Sequence, residues 1–169
     1  MLANNPDLIT LIERALAEDI GEGDHSTLSC IPAHQWGEAT LKIKEDGILA
    51  GMEFAAAVFL HLSPAAHFAA HKKDGDPMQA GETAFVVSAP VHTILQAERL
   101  VLNGMQRMSG IATLTHQYSQ ILAPFHTRLL DTRKTTPNFR LLEKEAVRIG
   151  GGTNHRMGLY DMIMLKDNH

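Results

Sequence analysis

A change of rhythm near residue 113 limits the folds that are open to this chain. Beyond it the sequence predicts helix, strand, helix, strand, with strands at 126–132 (HTRLLDT) and 159–167 (LYDMIMLKD) around a helix within 138–152. This alternation is how a parallel α/β fold begins. Two parallel strands can neither close a barrel nor be covered on both faces, so we expect the second domain to continue beyond residue 169.

The residues before 113 predict a mixture of helices and strands. Apolar spacing indicates helices at 5–21 (capped by Asn5) and 53–62, and a helical pattern at 91–122 that is either continuous or broken near Ser109–Gly110. The remaining predicted features are a loop at 22–27, strands within 37–46 and 47–51, and a strand–turn–strand at 66–90 with its turn at 73–76. We therefore predict an α/β protein with domains at 1–112 and 113–169.

The formal net charge of -4 is distributed unevenly. Residues 1–127 contain 7 Lys/Arg and 14 Asp/Glu, whereas residues 128–169 contain 8 and 5. Anionic ligands are therefore expected at the last quarter of the chain, where the positive field lies. Because the whole chain is acidic and only 5% aromatic, nucleic-acid binding is not expected.

Basic side chains follow both strands of the predicted parallel pair. Thr132, Arg133 and Lys134 lie at the carboxyl end of the first strand, and Lys166 comes at the end of the second. Ligand-binding groups of parallel α/β folds lie at the carboxyl ends of strands, and arginine can hold a carboxylate or phosphate with two hydrogen bonds. The alternative is a solvated basic turn and a lysine that reaches the surface.

The stretch RIGGGTNHRMG places three glycines before His155 and Arg156. One glycine is enough to end a helix in the left-handed conformation, so the other two need a further reason. They indicate either a flexible linker or a tight loop that delivers both side chains to the pocket of Arg133, Lys134 and Lys166. We prefer the loop. So many cationic groups on one face predict a small ligand with more than one anionic group.

Other residues indicate no second site. The single cysteine, Cys30, cannot form an internal disulfide and is interpreted as a small apolar filler in a reducing compartment. His61, His67 and His71 have no spacing typical of a metal site, so we expect them at the surface and predict no metal ligands. The start of the chain lacks a signal peptide, and no apolar run reaches ~20 residues, so a cytoplasmic protein is expected.

The last forty residues, LDTRKTTPNFRLLEKEAVRIGGGTNHRMGLYDMIMLKDNH, closely resemble the quinolinate phosphoribosyltransferase family. The segments ALAEDIGEGDHST, GILAG and AERLVLNGMQRMSGIATLTHQY resemble earlier parts of that family, in the same order. The resemblance implies an α+β N-terminal sandwich domain followed by the start of an incomplete α/β barrel. It also implies that quinolinate and phosphoribosyl pyrophosphate, with Mg²⁺, give nicotinate mononucleotide, pyrophosphate and carbon dioxide, a step in NAD biosynthesis.

The resemblance further implies a homodimer and roles for particular residues. Arg99 corresponds to an arginine supplied across the dimer interface, although alone it would be interpreted as a helix-surface residue near Glu98. Lys134 and Lys166 are assigned to electrostatic catalysis. The side chains implied to surround the two carboxylates of quinolinate are Arg133, Lys134, His155, Arg156 and Lys166, with a hydroxyl or backbone contact from Thr132.

The family's acidic ribose- and metal-holding residues come from later barrel strands. The resemblance therefore implies no metal ligands within residues 1–169, and we expect this polypeptide alone to turn over nothing. Two alternatives stay open. One is the molybdenum-operon relative of this family, which acts on another substrate. The other is a non-catalytic anion-binding or dimerisation fragment.

Overall fold

The computed structural model describes residues 2 and 5–169 of the chain. Its elements are α1 (Pro6–Ile20), α2 (His25–Cys30), β1 (Trp36–Lys42), β2 (Gly47–Ile48), α3 (Met52–Leu62), β3 (His67–Ala70), β4 (Pro77–Met78), β5 (Thr83–Pro90), α4 (Val91–Leu122) and α5 (Arg140–Ile149). The predicted α/β class is confirmed. No helix within the described ranges is long and apolar enough to cross a bilayer.

The first helix follows directly from its sequence. The side chain of Asn5 accepts a hydrogen bond from the amide of Asp7 at 2.9 Å, which satisfies one unpaired donor of the first turn. Leu8, Ile12 and Leu16 recur at helical spacing and are buried. The predicted helix and its cap are confirmed.

A three-stranded antiparallel sheet, in the order β1–β5–β3, forms the centre of the first part of the chain. In β1 exposed and half-buried residues alternate, as predicted for a strand with one wet face. β5 lies between two neighbours and buries Phe85 and Val87, and Phe59 of α3 packs edge-on against Phe85. The turn at 73–76 exists, but the strand after it, β4, pairs with β2, and the partner of β3 is β5.

Helix α4 runs for 32 residues without a break, about 48 Å at the helical rise. Of the two alternatives left open for residues 91–122, the structure has the continuous helix, and the hydroxyl of Ser109 bonds to the backbone of Ala50. It accepts from the Ala50 amide at 3.0 Å and donates to the Ala50 carbonyl at 3.1 Å. Met105 and Met108 are buried, as expected for core residues. The helix crosses residue 112, and the two-domain division there stays a prediction.

The loop expected at 22–27 is wrong in its second half, where the short helix α2 begins. Asp24 caps it, because its carboxylate accepts from the amide of Thr27 at 3.0 Å and from the Thr27 hydroxyl. A helix of six residues is too short to show apolar periodicity. Cys30, at its end, is exposed, so the expected filler role is wrong. His61, His67 and His71 lie at the surface as expected.

Both strands of the predicted parallel pair are wrong. The first is reduced to one parallel bridge between Leu130 and Thr153, and residues 159–167 form no strand. A strand exists only where a neighbour accepts its backbone hydrogen bonds. Within the described part of the chain, the second segment has no ladder partner, and its apolar side chains face solvent: Tyr160 is 86% and Ile163 is 90% exposed.

Candidate functional site

The glycine-rich turn after α5 is a tight loop. A Cβ atom on Gly150 would lie 2.4 Å from the carbonyl oxygen of Ala112 and 2.7 Å from Cβ of Thr115, both on α4. Gly151 adopts a φ of +93°, which side-chain-bearing residues rarely adopt. These contacts exclude a flexible linker.

Two loops meet beyond this turn: residues 131–136 (the first loop) and residues 153–157 (the second loop). The amide of Thr153 donates to the carbonyl of Leu129 at 2.8 Å, and the amide of Asp131 donates to the carbonyl of Thr153 at 3.2 Å. The two loops therefore run beside each other. Together they contain five of the seven predicted site residues.

A buried ion pair lies between these loops. Nζ of Lys144, on α5, is 2.5 Å from Oδ1 of Asp131, and the two side chains are 2% and 7% exposed. Asp131 also accepts from the amide of His155 at 2.8 Å and from the side-chain amide of Asn154 at 2.7 Å. Lys144 also donates to the carbonyl of His155 at 3.1 Å. Every charge of the pair is thus matched, as buried charges require.

A second ionic contact ties the first loop to α4 and α5. Arg107 of α4 donates from Nε and Nη2 to one oxygen of Glu143, at 2.9 and 2.8 Å. The hydroxyl of Thr136 donates to the same oxygen at 2.8 Å, and its amide donates to the other at 3.1 Å. Burial raises the pKa of Glu143, but the hydrogen bonds from Arg107 and Thr136 outweigh it, so the pKa is lower than usual.

Arg140 links the ends of the two loops. Its guanidinium donates to the hydroxyl of Thr135 at 3.0 Å, to the carbonyl of Met157 at 2.9 Å and to the carbonyl of Arg133 at 3.4 Å. Asp161 then closes the end of the second loop, since its carboxylate accepts from the amides of Met157 and Gly158. These backbone donors lower the pKa of Asp161.

Arg133 differs from its neighbours. Its Nε and Nη1 atoms are buried, yet neither has a hydrogen-bond partner within the described part of the chain. Arg156 is half-buried, and one of its terminal nitrogens donates to the carbonyl of Met162 at 3.3 Å. His155 is also half-buried, whereas Thr132 and Lys134 are exposed. The hydroxyl of Thr132 accepts from the amide of Lys134 at 3.1 Å, which shapes the turn.

Lys166 and Arg99 are not brought to the two loops by any described contact. Lys166 is exposed, and its amide donates to the ring of His169 at 3.1 Å within a local turn. Arg99 is exposed on α4, eight residues or about 12 Å along the helix from Arg107. The roles given to both residues stay predictions.

Sequence reasoning missed the polar side chains that hold the two loops together. Glu143 and Lys144 look like part of a solvated charged run, yet both are buried. One signal was available: Asp131 lies near the end of the predicted strand, two residues before Arg133. A buried lysine needs an acidic partner, and Asp131 is the acidic residue next to the predicted binding residues. The members of this group are Arg107, Asp131, Arg140, Glu143, Lys144 and Asn154.

The two loops offer few donors for Mg²⁺. Mg²⁺ prefers carboxylate oxygens together with substrate phosphates. Residues 2 and 5–169 contain no group of three or more His, Cys, Asp or Glu side chains that could hold a metal ion. Asp131 and Glu143 are engaged by Lys144 and Arg107, and Asp161 accepts from two backbone amides. The donors of the described residues therefore do not fit the ion.

Comparison with known proteins identifies relatives over almost the whole chain. Residues 24–109 match the model of the quinolinate phosphoribosyl transferase N-terminal domain, and residues 111–169 match that of the C-terminal domain. A nicotinate-nucleotide pyrophosphorylase [carboxylating] of Arabidopsis thaliana, chloroplastic, is 49% identical over 164 residues, which are 96% of this chain and 47% of that protein. A probable enzyme of the same name from Synechocystis is 44% identical over 158 residues, which are 94% of this chain and 53% of that protein.

Solved structures agree with this assignment. NadC from Streptococcus pyogenes superposes with a TM-score of 0.90 at 41% identity, covering 96% of this chain and 57% of that one. The nicotinate-nucleotide pyrophosphorylase from Francisella tularensis gives 0.88 at 37% identity, covering 100% and 61%. The chain spans about half the length of the curated relatives that it matches. Both domain models match in order, and the two loops consist of residues from the segment that most closely resembles the family. The chain therefore belongs to the quinolinate phosphoribosyltransferase family.

Proposed function

We propose that this chain supplies the quinolinate-binding part of an enzyme that transfers phosphoribosyl from phosphoribosyl pyrophosphate to quinolinate. Nicotinate mononucleotide, pyrophosphate and carbon dioxide are the products. The observation that carries the proposal is the guanidinium of Arg133, which has two buried nitrogens without a hydrogen-bond partner among the described residues. Buried donors are almost always satisfied, so an acceptor from outside the described residues is expected there.

The chemistry around Arg133 favours a compact diacid. Nε and Nη1 lie on different edges of the guanidinium, so they can donate to two different carboxylate oxygens of one diacid. Arg156 and His155 lie half-buried on the adjoining loop and offer further donors for a second carboxylate. Arg133, Lys134 and Arg156 form no ion pair with any residue of the described ranges. A ligand with two adjacent carboxylates, such as quinolinate, would neutralise this excess of positive charge.

The reaction gives the remaining cations a role. The C–O bond from ribose to pyrophosphate breaks while the pyridine nitrogen bonds to the same carbon. The positive ring nitrogen then stabilises the carbanion left on the neighbouring ring carbon when the carboxylate departs as carbon dioxide, and a proton binds to that carbon. Cations fixed near the departing groups lower the cost of this charge movement. We assign Lys134 and Lys166 to that task and Thr132 to a substrate contact.

Two features of the whole enzyme are also proposed. It is a homodimer in which Arg99 of one protomer reaches the site of its partner; the exposure of Arg99, away from the loops of its own chain, supports this. It uses Mg²⁺ with phosphoribosyl pyrophosphate, through groups other than those described. A cytoplasmic location is supported by the exposed, unpaired thiol of Cys30, which suits a reducing compartment.

Calorimetric titration with quinolinate tests the proposal. The Arg133→Ala variant loses two charge-assisted hydrogen bonds, so its affinity is expected to fall by about 10- to 100-fold. Arg156→Ala should also bind more weakly. Arg128→Ala is the matched control: it removes one exposed arginine close by in the sequence and should bind like the parent. Nicotinate, with one carboxylate, should bind more weakly than quinolinate to the parent. Equal affinities for Arg133→Ala and Arg128→Ala would refute the site.

A further inference from the structure

We infer that the buried Asp131–Lys144 pair is a positioning device: it sets the backbone of His155, and thereby the directions of the His155 and Arg156 side chains. Neither member touches the ligand in this inference, because both side chains are almost fully buried. The inference deepens the proposed function and rests on it for the identity of the ligand. The geometric part stands on the structure alone.

The pair holds both peptide groups that flank the Cα atom of His155. The amide N–H of His155 donates to Oδ1 of Asp131 at 2.8 Å, and the carbonyl oxygen of His155 accepts from Nζ of Lys144 at 3.1 Å. Once both adjoining peptide planes are held, φ and ψ of His155 have little freedom. The direction of its imidazole and the starting point of Arg156 follow from those two angles.

The same pair sets the distance between the two loops. Asp131 immediately precedes Thr132 and Arg133 of the first loop, while Lys144 projects from the rigid helix α5. Asn154 adds a brace, because its side-chain amide donates to Asp131 at 2.7 Å and to the carbonyl of Lys144 at 2.8 Å. Both loops are therefore attached to the same residue of the helix, Lys144. A binding site needs such support, because an error of about 1 Å in the placement of its groups is costly.

An ordinary structural ion pair would behave differently on mutation. Removing one member strands a buried charge, and replacing both by apolar residues of similar size often restores stability. If the pair only stabilises the fold, the double replacement also restores ligand binding. If it positions His155, the double replacement restores the fold but not the site. The acceptor for the His155 amide and the donor to the His155 carbonyl are then both lost.

The test compares three forms of the 169-residue chain by amide hydrogen exchange and by calorimetry with quinolinate. They are the parent, the double variant Asp131→Leu/Lys144→Met, and the control Glu145→Gln/Arg148→Gln. The control removes a pair from the same helix that makes no described bond to either loop. In the double variant we expect the amide of His155 to exchange about 100-fold faster and the affinity to fall by about 10-fold or more. The control should match the parent in both.

Each outcome decides the inference. A double variant with parent-like protection of the His155 amide and parent-like affinity overturns it, and so does a control that weakens binding equally. If the double variant does not fold, the parent alone is informative: the amide of His155 should exchange far more slowly than that of Arg156, and equal rates overturn the inference. If the parent does not bind quinolinate, the proposed function fails, while the exchange rates still decide whether the pair positions His155.

Discussion

Replacing Gly150 by alanine isolates the close contact between the glycine turn and α4. The backbone at Gly150 is right-handed helical, with φ -73° and ψ -1°, so alanine is not strained by conformation. The new Cβ would instead lie 2.4 Å from the carbonyl oxygen of Ala112, a backbone atom, and 2.7 Å from Cβ of Thr115. Contacts between nonbonded atoms are favourable only near 3.5–4.0 Å, so α4 and the turn must separate by about 1 Å.

Overpacking of this kind costs about 1–3 kcal/mol, and a clash against backbone belongs at the upper end. Gly110→Ala is the matched control, because its added Cβ meets no atom of the described residues within 4 Å and lies in the interior of α4. There alanine should stabilise the protein by about 0.5–1 kcal/mol through helix propensity. The same chemical change is thus expected to have opposite signs at two positions.

Urea unfolding followed by far-UV circular dichroism measures both free energies of unfolding. In thermal scans the two variants should differ by roughly 5–15 °C, since 1 kcal/mol shifts the Tm of a chain of this size by about 2–4 °C. If Gly150→Ala is as stable as Gly110→Ala, the turn does not pack on α4 as described. The account of how the second loop is held would then be wrong.

Two further changes test other contacts. Glu143→Gln should cost about 1–2 kcal/mol at neutral pH. Because the pKa of Glu143 is lowered in the folded protein, its contribution to stability is present above the unfolded pKa near 4.5 and is lost as the pH falls through the folded pKa. Urea unfolding at several pH values should therefore show the stabilities of the parent and of Glu143→Gln converging in acid. Asp74 accepts from the amides of Gly51, Met52 and Glu53 at 2.6, 2.9 and 3.1 Å, which caps α3 from a distant loop. Asp74→Ala should therefore lower the free energy of unfolding by about 1–2 kcal/mol, and a loss below a few tenths would contradict that capping.

Elements whose stability is local could be predicted from residue order. Helix α1 has its own cap, its own apolar stripe and its own terminating glycine, so nothing distant is needed to recognise it. The alternation of β1 and the stripe of α5, with Leu142 and Ala146 buried, are equally local patterns. The clustering of basic residues near the two loops was visible for the same reason, since charge can be counted along a chain.

Contacts between distant segments could not be predicted in this way. The segments at 126–132 and 159–167 have strand-like composition, yet pairing requires a neighbour, and composition does not specify one. Lys144 looks like a solvated residue until Asp131, thirteen positions earlier, is placed against it. The two orphaned nitrogens of Arg133 are likewise visible only once the surrounding atoms are in place.

Residue order therefore determines where helices begin and end, which faces are apolar and which stretch of the chain attracts anions, because each depends on neighbours within a few positions. Burial, by contrast, is a property of what the rest of the chain places against a side chain. Tertiary packing decided that Lys144 is internal, that Cys30 is external and that His155 is held from both sides, because each outcome depends on groups that lie far away in the sequence.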